Sequence, residues 1–88
     1  MKISFSKSTC TLLFEEGEPF AGKKLYIEGE MYSAPLGFDF TPSSLQWLTY
    51  DDEGFFDLSP IDEEVKKDLI PYFMAEARKR KIMLQRWD

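Results

Sequence analysis

The sequence predicts an α+β fold: a mostly antiparallel sheet of five or six strands, packed against one long C-terminal helix and followed by a final C-terminal strand. Two observations carry this. Apolar residues alternate with polar ones along the first two-thirds of the chain, and the period changes to that of a helix after Pro60. A third observation adds the last strand, because alternation returns in "IMLQRW". The 88 residues suggest a single domain over 1–88. The aromatic share of 16% suits a small core that must be filled by few side chains.

The elements follow in chain order. "KISFSK" puts Ile3 and Phe5 on one face, and "TCTLLFE" does the same with Cys10, Leu12 and Phe14. Gly17, Pro19 and Gly22 punctuate a turn in "EEGEPFAG". In "KKLYIEGEMY", Leu25, Ile27 and Met31 share one face, while Tyr26, Glu28, Glu30 and Tyr32 share the other. Gly29 falls on the apolar face, which points to a bulge or a close backbone approach. "SAPLG" reads as a turn and "FDF" as a short strand with Phe38 and Phe40 together. "TPSS" breaks it, and "LQWLTY" resumes extended chain with Leu45 and Trp47 inward.

The helix is expected between Ser59 and Lys81. Asp62 is its N-cap, Glu63 and Glu64 suit the positive end of the dipole, and Arg78, Lys79, Arg80 and Lys81 suit the negative end. At about 100° per residue, Leu69, Ile70, Phe73 and Ala77 form one face, flanked by Val65, Tyr72 and Met74. Pro71 lies on the polar side, so the sequence predicts one bent helix rather than two. In the terminal strand Met83 and Trp87 share a face.

Composition excludes several chemistries. With no histidine, serine–histidine and cysteine–histidine catalysis and histidine metal sites are ruled out. A single cysteine, Cys10, allows neither an intramolecular disulfide nor a cysteine zinc site. Its place on an alternating strand predicts a buried structural thiol. The start "MKISFSKSTC" lacks a secretory apolar run, and no segment has the ~20 apolar residues of a membrane span, so the expected place is the cytoplasm. Residues 1–75 hold six basic and fourteen acidic side chains, a net of −8. Residues 76–88 hold five and two, a net of +3. An acidic body repels nucleic acid and attracts basic proteins.

The stretch "TYDDEGFFDLSP" stands out as the candidate site. It reads as an acidic loop holding two adjacent phenylalanines. As a calcium loop it fails: aligned on Gly54, Asp51, Glu53 and Asp57 take ligand places, but Thr49 and Pro60 occupy the first and last positions. With sixteen acids, carboxylate pairs of the kind used in glycoside hydrolysis arise by chance, and solvated surface acids are the simpler account. Core packing explains one phenylalanine readily and both less readily, because neighbours on an extended chain point opposite ways. The expected interface is Tyr50, Asp51, Asp52, Glu53, Phe55, Phe56 and Asp57, with a phenylalanine as apolar anchor and the acids as its rim. Arg78, Lys79, Arg80 and Lys81 form a nucleic-acid candidate, for which helix termination is the simpler reading.

The order of parts resembles a known family. A strand with Gly29 and Glu30, a strand with Trp47, a turn-rich acidic loop, then Pro60, Ile61, Asp62, Glu63 and Glu64 opening the helix are similar to the immunity protein 74 family of bacterial polymorphic toxin systems. The likeness covers roughly residues 20 to 87. The chain departs from it in the longer, more aromatic segment after Trp47 and in Pro71. The resemblance implies a cytoplasmic antidote that binds a cognate toxin, such as a basic nuclease, and occludes it. It implies an inhibitor that needs no catalysis of its own, and it assigns no functional residues; from the residues, no cofactor and no metal are expected. The alternative is a non-catalytic structural or regulatory adaptor. Either is expected as a monomer or homodimer.

Overall fold

In a computed structural model, residues 1–33 and 36–86 are described, with the side chains of residues 32, 33 and 36 left aside. Seven strands and one α-helix follow in the order β1 (Lys2–Phe5), β2 (Thr9–Leu13), β3 (Lys24–Ser33), β4 (Leu36–Phe40), β5 (Gln46–Tyr50), β6 (Phe56–Pro60), α1 (Glu63–Lys79) and β7 (Met83–Arg86). A single 3-10 turn, Pro42–Ser44, separates β4 from β5. The centre of the expected "SAPLG" turn, Ala34 and Pro35, lies outside the described residues, as does Trp87.

The long strand β3 organises the sheet. Its first half pairs with β2 on one side and with β5 on the other, and its second half pairs with β4. β1 extends the sheet beyond β2, β6 extends it beyond β5, and β7 lies parallel to β4. All other pairings are antiparallel, so the sheet is mostly antiparallel as expected. The strand not expected from the sequence is β6, which takes up nearly half of the segment read as a loop.

Register explains the core. Ile3, Leu12, Leu25 and Trp47 stand in one cross-strand row, and Phe5, Cys10 and Ile27 in the next. These rows share the sheet face covered by α1, where Cys10, Leu12, Phe14, Leu25, Ile27, Phe38 and Phe40 are buried. From the helix, Leu69, Ile70, Phe73 and Ala77 are buried, the face that the 3.6-residue period selects. Phe73 meets Phe40 edge-on at 5.4 Å, and Tyr72 lies 6.2 Å from Phe14. Each such aromatic pair contributes about 0.5–1.5 kcal/mol beyond area burial.

Three details bear on the expectations. Asp62 precedes the helix in extended conformation, but its side chain makes no capping hydrogen bond. The helix runs unbroken through Pro71, which is exposed. Met31 is 42% exposed although it shares the inward parity of Leu25 and Ile27. The reason is length: β2 ends with Thr9 opposite Glu28, so β3 runs on past its neighbour. Gly29 marks that point. A Cβ there would fall 1.8 Å from the carbonyl oxygen of Asp39, which makes it a close backbone approach.

Candidate interaction site on the β5–β6 hairpin

The acidic segment is a β-hairpin. Asp51 builds its turn almost alone. Its C=O accepts the N–H of Gly54 at 3.1 Å, and its N–H donates to the C=O of Phe55 at 2.9 Å. Its Oδ1 accepts the N–H groups of Glu53 and Phe55, both at 2.9 Å. Gly54 takes φ +88°, a left-handed conformation that costs a side-chain-bearing residue roughly 1–2 kcal/mol. A short loop with glycine in this position is a standard hairpin connection. Asp-Asp-Glu-Gly between two short alternating runs carried that signal in the sequence, masked by the density of charge.

The hairpin gathers all seven predicted site residues, and all are exposed. It also divides them. Tyr50 pairs with Phe56, and Leu48 with Leu58. Leu48 in turn stands opposite Lys24, whose parity is opposite to that of Leu25. Tyr50 and Phe56 thus face away from the helix, beside Leu48 and Leu58. Asp57 pairs with Thr49 and takes the other face. Asp51, Asp52, Glu53 and Phe55 make the tip. Phe55 and Phe56 are 68% and 65% exposed, so neither belongs to the core. The Nζ of Lys24 sits 4.9 Å from the centre of the Tyr50 ring, a cation–π contact that braces the hairpin against β3.

Charge is distributed unevenly around this site. Between Lys24 and Lys66 there is no lysine or arginine. The same span holds Glu28, Glu30, Asp39, Asp51, Asp52, Glu53, Asp57, Asp62, Glu63 and Glu64. The hairpin acids take part in none of the ion pairs found among the described residues. A second acidic group was not foreseen. Glu28, Glu30 and Asp39 line a groove with Phe40, Thr41 and Ser44. Glu30 stands directly across from Asp39, and Oδ1 of Asp39 is buried without a hydrogen-bond partner. Only the β3–β4 register brings these two acids together.

The other candidates have structural explanations. At the helix end, Lys79 and Arg80 reach Glu76 at 3.0 and 3.1 Å. Lys79 first, then Arg80, lowers the pKa of Glu76. Lys81 takes φ 59°, and the N–H of Ile82 returns to the C=O of Ala77 at 3.0 Å, which closes the helix. Cys10 is fully buried, and burial pushes its thiol up to about 12, far from a reactive thiolate. Among the described residues, no group of three or more histidine, cysteine, aspartate or glutamate side chains is placed to hold a metal ion. None of their helices is long and apolar enough to cross a membrane.

No protein-family model, curated protein or solved structure matches this chain.

Proposed function

We propose that this chain is a non-catalytic immunity protein of the cytoplasm, which binds a cognate bacterial toxin domain and neutralises it by occlusion. One observation carries the reading. Two adjacent phenylalanines stand exposed on a hairpin that also carries Asp51, Asp52, Glu53 and Asp57, none of them in an ion pair among the described residues. Folding gains nothing from leaving both rings in water. A partner that covers them gains a central apolar anchor with a charged rim, the usual anatomy of an interface hot spot. The acids steer that partner's approach and favour a basic one, such as a nuclease.

The nucleic-acid reading loses support, because Lys79 and Arg80 are engaged by Glu76. The adaptor reading uses the same surface and differs only in the partner.

The test is capture from lysate of the source cells, followed by titration with the recovered toxin's C-terminal domain. The Phe55→Ala, Phe56→Ala double variant is expected to remain folded and to lose about 100-fold or more in affinity, as loss of hot-spot anchors does. Undiminished affinity in the folded double variant removes the hairpin from the reading. Capture of no toxin removes the antidote role.

A further inference from the structure

Strand β6 pairs only with β5, so its far edge has no strand partner among the described residues. The turn fixes which backbone groups point along that edge. Asp51 and Phe55 form a hydrogen-bonded pair, and such pairs alternate along an antiparallel ladder. Thr49–Asp57 and Trp47–Ser59 are therefore the next bonded pairs. The hydroxyl of Thr49 also donates to the C=O of Asp57 at 3.4 Å, consistent with a carbonyl turned toward β5. Phe56 and Leu58 lie between these pairs, so their N–H and C=O groups point outward. The C=O of Pro60 does too. Pro60 has no N–H to lose and ends the edge without breaking a ladder bond.

Edge strands are ordinarily protected by being short, charged or interrupted by proline. β6 has the proline and the acids, but it also carries Phe56 and adjoins Phe55, both in water. Protection alone does not account for those rings.

We infer that β6 receives an extended, basic segment of a protein partner as an added strand. The backbone of Phe56 and Leu58 supplies the hydrogen bonds, and Phe55 and Phe56, exposed on the edge strand and beside it, pack against the incoming side chains. Charge selects the occupant. Every ionisable side chain from Leu25 to Val65 that is charged at neutral pH is acidic, so lysine or arginine on the added strand meets complementary charge. A second copy of this chain would bring an equally acidic β6. The inference rests on the hairpin being the binding surface and adds the mode of attachment.

Amide hydrogen exchange of the 15N-labelled protein tests it, with a synthetic peptide of four lysine–valine repeats as the probe and a glutamate–valine peptide as its control. The lysine peptide is expected to slow exchange at Phe56 and Leu58 by about tenfold or more, while Asp57 and Ser59, already bonded to β5, change little. The glutamate peptide leaves all four unchanged. If the lysine peptide shifts the signals of Phe55 and Phe56 with no protection of the Phe56 and Leu58 amides, strand addition is overturned and the hairpin surface stands. If the lysine peptide does not bind at all, addition of a basic strand is overturned, while the Phe55→Ala, Phe56→Ala titration decides the hairpin separately. Protection that grows with protein concentration in the absence of peptide makes a second copy the occupant and overturns the basic partner.

Discussion

The hydroxyl of Tyr72 donates to Oε2 of Glu18 at 2.6 Å, tying the middle of the helix to the turn between β2 and β3. The other carboxylate oxygen of Glu18 lies 2.6 Å from the α-amino group of Met1. That amino group first, and Tyr72 second, lower the pKa of Glu18 to about 2. The same bond, with burial, raises Tyr72 to about 12. The expected outcome for Tyr72→Phe is a loss of about 1–2 kcal/mol at neutral pH, since a hydrogen bond to a charged group is removed. The sign of the pH dependence follows from the shifts. The contribution of Glu18 is complete above its ordinary pKa near 4.5 and is lost as pH falls through about 2. The contribution of Tyr72 is complete below 10 and is lost as pH rises through about 12. Urea titrations of the wild type and the variant from neutral to acid pH check this: the gap between them holds through pH 4.5 and narrows only as pH falls toward about 2, where folded Glu18 takes up its proton.

Gly29→Ala is expected to be severe. The added methyl meets the backbone oxygen of Asp39 at 1.8 Å and its carbonyl carbon at 2.9 Å, with Cε1 of Phe38 also at 2.9 Å. A backbone strand cannot swing aside as a flexible side chain does. The two strands must separate where β3 changes neighbours, at a loss of about 3 kcal/mol. A fall in urea midpoint at unchanged slope reads the effect.

Gly29 was legible in the sequence because a glycine on an apolar strand face has few explanations. The helix was legible for a similar reason: Leu69, Ile70, Phe73 and Ala77 fit only one period. The hairpin was not, because Asp51 serves both as one acid in a cluster and as the turn's main acceptor, and the density of charge masks the turn signal of Asp-Asp-Glu-Gly. Glu30 and Asp39 were beyond reach altogether. Each reads as an ordinary outward acid on its own strand, and they face each other only through the β3–β4 register. Met31 keeps the face that alternation gives it and is nonetheless exposed, since alternation does not show where the neighbouring strand stops.

Pro71→Ala is expected to stabilise the protein. Proline leaves the C=O of Lys67 without its helical donor, and inside a helix it is about 3 kcal/mol less favourable than alanine. Its stiffening of the unfolded chain offsets about 0.4–1 kcal/mol of that. The exposed position leaves room for the regained hydrogen bond without repacking the core. The remaining gain of about 2 kcal/mol corresponds to a Tm roughly 8–16 °C higher, which calorimetry resolves.

Asp39→Asn separates stability from recognition. Two carboxylates directly opposed on one sheet face repel, and this pair adds a buried oxygen that nothing bonds. The amide removes the repulsion and offers an N–H to Glu30, so the variant is expected to gain about 0.2–1 kcal/mol in urea unfolding. If the acidic side of the sheet also steers a basic partner, the same change slows association, most at low salt where screening is weakest. A variant that unfolds later yet associates more slowly marks Asp39 as a charge kept for binding at some loss of stability. A variant that gains stability with unchanged association rate confines recognition to the hairpin.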